Sequence, residues 1–131
     1  MSASETLEKY RDLLDSKALA HLATLMPDGS PQVTPVWFMY DGTHILINTA
    51  RGRIKDRNME HDRRVALEIM DPANTGRYVQ IRGKVVEISE EEAAVQVHEV
   101  ARKYTGRDYQ WGEPGQVRVL FKILPEKVNG N

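Results

Sequence analysis

The chain has no cysteine. This excludes a disulfide framework, a thiolate metal site and a cysteine nucleophile, and the cytoplasm is the expected compartment. No apolar run approaches the roughly 20 residues that a membrane-spanning helix needs. The opening segment, MSASETLEKY, is polar and lacks an apolar h-region, so no signal peptide is expected. Net charge is only −1 over 131 residues. A near-neutral surface has no general pull toward nucleic acid or an anionic membrane, so any charge that matters must be local. His21, His44, His61 and His98 lie far apart, and no pair has metal-ligand spacing. No metal site is therefore expected. There is no glycine-rich strand-to-helix fingerprint, which argues against a Rossmann fold, and no Ser-His-Asp arrangement can be argued.

What is present reads as a β protein with a few helices. Ser4 is an N-cap candidate, and Leu7, Tyr10, Leu13 and Leu14 give Thr6 to Leu14 a helical apolar face. Ala18 to Met26 alternates as a strand. Pro27-Asp28-Gly29-Ser30 is turn chemistry, and Pro31 to Tyr40 is a second strand rich in Val, Thr, Trp, Phe and Tyr. Pro35 removes one ladder donor from that strand, which marks a bulge or an edge. Asp41-Gly42 signals a hairpin into a strand at Thr43 to Thr49. Strands follow at Arg64 to Met70 and Arg77 to Ile88, and a last one at Gln116 to Leu124. Ser89 with Glu92 forms a capping-box pattern ahead of a helix whose face carries Ala93, Val97, Val100, Ala101 and Tyr104. Six strands joined mostly by short turns favour a single antiparallel barrel domain.

The local charge lies between Arg51 and Arg64. Arg51, Arg53, Lys55, Arg57, Arg63 and Arg64 outnumber Asp56, Glu60 and Asp62 there. The segment reads as a loop entering a short polar helix. Such a junction exposes free N–H groups and the positive end of the helix dipole. With Arg and Lys added, it suits a phosphate or a carboxylate. A solvated face of a charged helix is the alternative reading of the same spacing.

The order of motifs carries more than any one of them. A DGSPQ turn, a PVWF strand, the loop NTARGRIKDRN and the strand DRRVAL follow in succession. RYVQIRGKVVEI and ARKYTGRDYQW come later. Together they resemble the pyridoxamine-phosphate-oxidase-like split-barrel family, over roughly Leu14 to Val128. The branch most resembled uses the deazaflavin coenzyme F420. The resemblance implies a mainly β fold with peripheral helices. That fold is a six-stranded antiparallel Greek-key split β-barrel, assembled as a homodimer with two cofactor grooves at the interface. Arg53 and Lys55 match the positions that hold the phosphate of the cofactor tail. Asn48 and Thr49 match residues beside the tail and the ring edge. Arg51 and Arg57 are further partners for a tail bearing glutamate carboxylates. Gln32, Val33, Thr34, Pro35 and Val36 match the strand along the flat ring, and Tyr78 matches an aromatic reaching the site from the other subunit. Tyr109 and Trp111, aromatic residues in a loop, are candidate walls of a substrate pocket.

The implied activity is F420-dependent reduction, with hydride passing between the deazaflavin and an unsaturated or conjugated small molecule. No residue stands out as the proton donor, so the catalytic residue is left unassigned. An FMN enzyme on the same fold, or a non-catalytic binder of a cofactor or heme derivative, are the other readings. One phosphate needs fewer cations than a phosphodiester with a glutamate tail, so the set Arg51, Arg53, Lys55 and Arg57 points toward F420. The ending KILPEKVNGN lacks the arginine- and histidine-bearing segment of a true pyridoxamine phosphate oxidase.

Overall fold

The alternation read from the sequence closes a core. The computed structural model describes residues 1–131. Its elements, in chain order, are α1 (Ala3–Glu8), α2 (Arg11–Leu14), β1 (Ala20–Leu25), β2 (Pro31–Val36), β3 (Met39–Tyr40) and β4 (Ile45–Ala50). After these come α3 (Ile54–His61), β5 (Arg64–Met70), β6 (Tyr78–Ser89), α4 (Glu90–Thr105) and β7 (Arg118–Gly130). The strands form one antiparallel sheet in the order β2-β1-β5-β6-β7-β4-β3. Every second residue points inward, as the pleat requires. Ala20 and Leu22 of β1, Ile45 and Ile47 of β4, Leu67 and Ile69 of β5, and Phe121 and Ile123 of β7 are buried together. Leu7, Leu13 and Leu14 from the two N-terminal helices plug the same core. The long helix α4 packs against β7 and β4, burying Ala93, Val97, Val100 and Ala101.

Several expectations need correction. There are seven strands, because the run Pro31 to Tyr40 is two strands, interrupted at Trp37 and Phe38. The cause lies in α4. Phe38 N–H donates to the Tyr104 hydroxyl at 3.4 Å, and Phe38 C=O accepts from Lys103 Nζ at 2.9 Å. With both backbone groups committed to side chains, Phe38 cannot continue the ladder. The N-terminal helix is capped by Ser2, not Ser4, and breaks at Lys9 and Tyr10 into two short pieces. Ser89 does cap α4 by accepting from Glu92 N–H, but the Glu92 carboxylate pairs with Lys122 instead of completing the box. The last strand runs on to Gly130. Pro125 is accommodated there at a register shift opposite Gly83, where a Cβ would clash with the Leu124 carbonyl oxygen. Pro35 sits on β2, an edge strand, as its missing donor requires.

Candidate cofactor and anion site

Strand β4 delivers the chain to the basic loop. Ala50 pairs with Arg118 of β7, Arg51 N–H donates to Val117 C=O at 2.8 Å, and Gly52 then turns at a φ of 93°. Asp56, buried in the first turn of α3, holds the turn in place. Its Oδ2 accepts from Gly52 N–H at 2.8 Å and its Oδ1 from Arg51 Nη1 at 2.9 Å. Arg51 also reaches Glu60 at 2.7 Å and Glu90 at 2.8 Å. Hydrogen bonds that it donates to Glu60, then Glu90 and Asp56, raise its already high pKa. Arg51 therefore cross-links the loop, α3 and the start of α4. Its charge is already met by carboxylates.

The neighbouring cations differ. Arg53 occupies the N-cap of α3 and its side chain makes no capping hydrogen bond. The first-turn N–H groups thus have no side-chain cap, and the one first-turn acid, Asp56, is turned back onto Gly52 and Arg51. Arg53 and Arg57 are exposed, and Lys55 is half-buried. Burial, and then the adjacent Arg53 charge, hold the Lys55 ammonium below the ordinary lysine range. A lysine depressed by desolvation and a second cation gains from a bound anion. Arg53 and Arg51 line a cleft of about 340 Å³ with Ala50, Glu113 and Gln116.

Helix α3 is latched to the ring-matching strand through two buried polar residues. Asn58 Nδ2 donates to Thr24 Oγ1 at 3.0 Å, and Thr24 Oγ1 donates to Gln32 Oε1 at 3.3 Å. Gln32, Thr34 and Val36 are half-buried, while Val33 and Pro35 are exposed. Thr34 Oγ1 is buried without a hydrogen-bond partner. An orphaned hydroxyl on the predicted ring strand, two cations ion-paired to no carboxylate and an uncapped helix start fit a cofactor with a polar ring edge and a phosphate tail.

Other predicted residues are placed in two further groups. Thr49 is buried on the core side of β4. Asn48 faces α4, where its Nδ2 donates to Ala93 C=O at 3.1 Å and to Gln96 Oε1 at 2.9 Å. Its Oδ1 accepts from Arg118 Nε at 2.9 Å. Tyr109 and Trp111 meet edge to face at 5.8 Å, and Trp111 reaches Trp37 at 5.9 Å. Tyr78 pairs with Met70 at the end of the β5–β6 ladder opposite Arg64, so one chain does not bring it to the basic loop. The largest depression, about 550 Å³, holds none of the predicted residues. It lies over β1, β5 and β6, lined by Ala23, Leu25, Ala66, Arg64 and Arg82.

Sequence reading missed Thr24, Asn58 and Arg118. Thr24 and Arg118 left a trace. Thr24 falls in phase with Ala20 and Leu22, which places a hydroxyl on the core face. Arg118 is in phase with Leu120, which places a guanidinium off the Val119–Phe121 core face and on the face that α4 covers.

Comparison with known proteins identifies the family and the fold. The family profile "Pyridoxamine 5'-phosphate oxidase" matches residues 6–131. An F420H(2)-dependent biliverdin reductase of Mycobacterium tuberculosis is 30% identical over 120 residues, 90% of this chain and 82% of that protein. A solved F420 reductase superposes with a TM-score of 0.83 at 31% identity, covering 92% of this chain and 95% of its own. A conserved hypothetical protein of M. tuberculosis gives 0.76 at 28% identity, over 94% and 82%. The chain belongs to the pyridoxamine 5'-phosphate oxidase-like split-barrel family, on the branch that holds the F420-dependent reductases.

Proposed function

We propose that the protein is an F420-dependent reductase acting on an unsaturated or conjugated small molecule. The observation that carries this reading is the open N-terminus of α3, flanked by Arg53 and Lys55 with no carboxylate paired to either. The relatives named for F420 point to the same cofactor class. When bound, the reduced deazaflavin supplies a hydride to an electron-poor carbon. Arg53, Lys55 and the first-turn N–H groups of α3 hold the phosphate of the tail. Arg57 extends that field along the exposed side of the helix. Thr34 Oγ1 and the edge backbone of β2 orient the ring. The Asn58–Thr24–Gln32 chain keeps this strand fixed relative to the helix that grips the tail. Binding remote from the reacting carbon thereby sets its position.

A second copy completes the site. Val33 is 63% exposed on β2, beside the depression lined by Ala23, Leu25 and Ala66. An open apolar sheet face of this kind suits association, and a twofold partner would bring its own Tyr78 toward the groove. Light scattering at several concentrations should give a dimer mass, and a constant monomer mass would remove the shared-site arrangement.

The neutralisation of Arg51 favours keeping FMN as the second reading. With Arg51 committed to three carboxylates, the free cations at the loop are Arg53, Lys55 and Arg57, closer to what one phosphate needs. Titration of the purified protein with oxidised F420 and separately with FMN decides. F420 binding at micromolar or lower concentration is expected, and FMN binding without F420 binding would replace the first reading with the second. A non-catalytic binder would bind F420 yet fail to oxidise the reduced form with any enone or tetrapyrrole acceptor.

A further inference from the structure

Arg118 stands apart from the other half-buried arginines. Arg11, Arg51 and Arg77 each face carboxylates. Arg118 faces only neutral acceptors. Its Nε donates to Asn48 Oδ1 at 2.9 Å, and its Nη1 to the Tyr109 hydroxyl at 3.2 Å and Gln116 Oε1 at 3.3 Å. The guanidinium lies over the Tyr109 ring, 4.9 Å from its centre. A cation taken partly out of water is normally paired, because its desolvation is otherwise unrepaid. Burial is the main cause that lowers its pKa, and the charge of Arg53 adds to it. Two cations thus act on each other across a cleft wall formed by Arg53 and Gln116. Glu113 also lines that cleft, but it is not among the hydrogen-bond partners of Arg118.

The aromatic residues next to it form one connected run. Tyr104 stacks on Trp37 at 5.2 Å with the rings 5° from parallel. Trp37 meets Trp111, Trp111 meets Tyr109, and Tyr109 lies under Arg118. Trp111 is 56% exposed at the open side of this run. The neutral partners fix the fork without consuming its charge. This is how a guanidinium is prepared for a planar oxyanion.

We propose that Arg118, oriented by Asn48, Tyr109 and Gln116 and aided by Arg53, is a carboxylate-binding site at the end of an aromatic wall. It takes the carboxylate of a flat conjugated acceptor. This deepens the reductase reading, since it names the acceptor as an acid. The same chemistry could be offered by a glutamate carboxylate of the cofactor tail, so both sources need testing.

The protein has two tryptophans, Trp37 and Trp111, and both lie in the run. Their fluorescence therefore reports on this region. The purified protein is titrated with benzoate, with its neutral counterpart benzamide, and with a glutamyl dipeptide. Benzoate should bind at least tenfold more tightly than benzamide and more tightly than the dipeptide. Arg118→Gln should abolish the preference for benzoate over benzamide, with the fold checked by circular dichroism. Tyr109→Phe, on the loop, should reduce that preference two- to fivefold, and it stands in where Arg118→Gln fails to fold. Tighter binding of the dipeptide than of benzoate keeps the carboxylate site but assigns it to the tail. Equal binding of benzoate and benzamide by the wild type overturns the proposal. So does an unchanged preference in folded Arg118→Gln or, where that variant fails to fold, in Tyr109→Phe. No arm contains deazaflavin, so failure here leaves the cofactor reading standing, and failure of the F420 titration leaves these arms interpretable.

Discussion

Removing the Asp56 carboxylate tests how the basic loop is held. Asp56 is 4% exposed and accepts from Gly52 N–H at 2.8 Å and from Arg51 Nη1 at 2.9 Å. In Asp56→Ala the Gly52 N–H loses its partner in a partly buried turn, which costs about 1–3 kcal/mol. Arg51 keeps Glu60 and Glu90, both more exposed, so its further loss is held to about 1 kcal/mol. The expected destabilisation is thus about 2–4 kcal/mol. With a urea slope of about 2 kcal/mol/M, the middle of the range for a small domain, the unfolding midpoint should fall by about 1–2 M. Asp56→Asn keeps an acceptor for Gly52 N–H and loses only the charge, so it should recover at least half of the loss. Glu60→Ala removes an exposed partner and should cost less than about 1 kcal/mol. Urea unfolding followed by circular dichroism gives all three values. An Asp56→Ala midpoint within 0.2 M (about half a kcal/mol) of wild type would refute the argument that this carboxylate organises the loop.

Three further outcomes follow from other contacts. Burial holds the Lys103 ammonium down at about 8, where it donates to Leu14 C=O and Phe38 C=O at 2.9 Å each. The folded state then binds fewer protons than the unfolded chain between pH 8 and 10.5, so stability should rise with pH over that window. A shift of that size is worth about 3 kcal/mol at full burial, and solvent screening of a half-buried group brings it to about 1–2. Thermal unfolding from pH 7 to 9.5 should show the rise in wild type and not in Lys103→Met; equal slopes would refute it. Burial also pushes the Tyr104 phenol up to about 12, so above about pH 10.5, where the Lys103 contribution is exhausted, the trend should turn downward, and a continued rise to pH 11 would contradict this. Asn58→Ala breaks the buried bond to Thr24 and should cost about 1–2 kcal/mol in urea unfolding; a loss under 0.5 kcal/mol would show that the latch is slack.

Much of the fold could be read before any coordinates, and the reasons are local. In β1, β4 and β5 the period-2 pattern and the turns between them decide both the element and its buried face. The interruption at Trp37 and Phe38 left no local trace, since Val36 to Tyr40 is uniformly strand-forming. It depends on Tyr104 and Lys103, 66 and 65 residues away. The extension of β7 was hidden by Pro125, which breaks a strand unless the partner offers space, and Gly83 does. At the site, the basic loop was legible as a concentration of charge. Which of its cations stay free was not. Arg51 is neutralised by Glu90, 39 residues on, a pairing that only the packing of α4 creates. Arg118 was missed for the converse reason. Its phase with Leu120 puts it off the core face, but that α4 and the Tyr109 loop then cover it depends on packing that no local pattern carries.

The central claim is that Arg53 and Lys55, at the open start of α3, hold an anionic deazaflavin tail. Fluorescence titration of F420 into wild type and into the double variant Arg53→Ala, Lys55→Ala measures this most directly. Wild type should bind at micromolar or lower concentration, and the double variant at least tenfold more weakly. The gap should be wider at 10 mM salt than at 150 mM, because screening lengths fall from about 30 to 8 Å. Equal affinities in the two proteins would contradict the account.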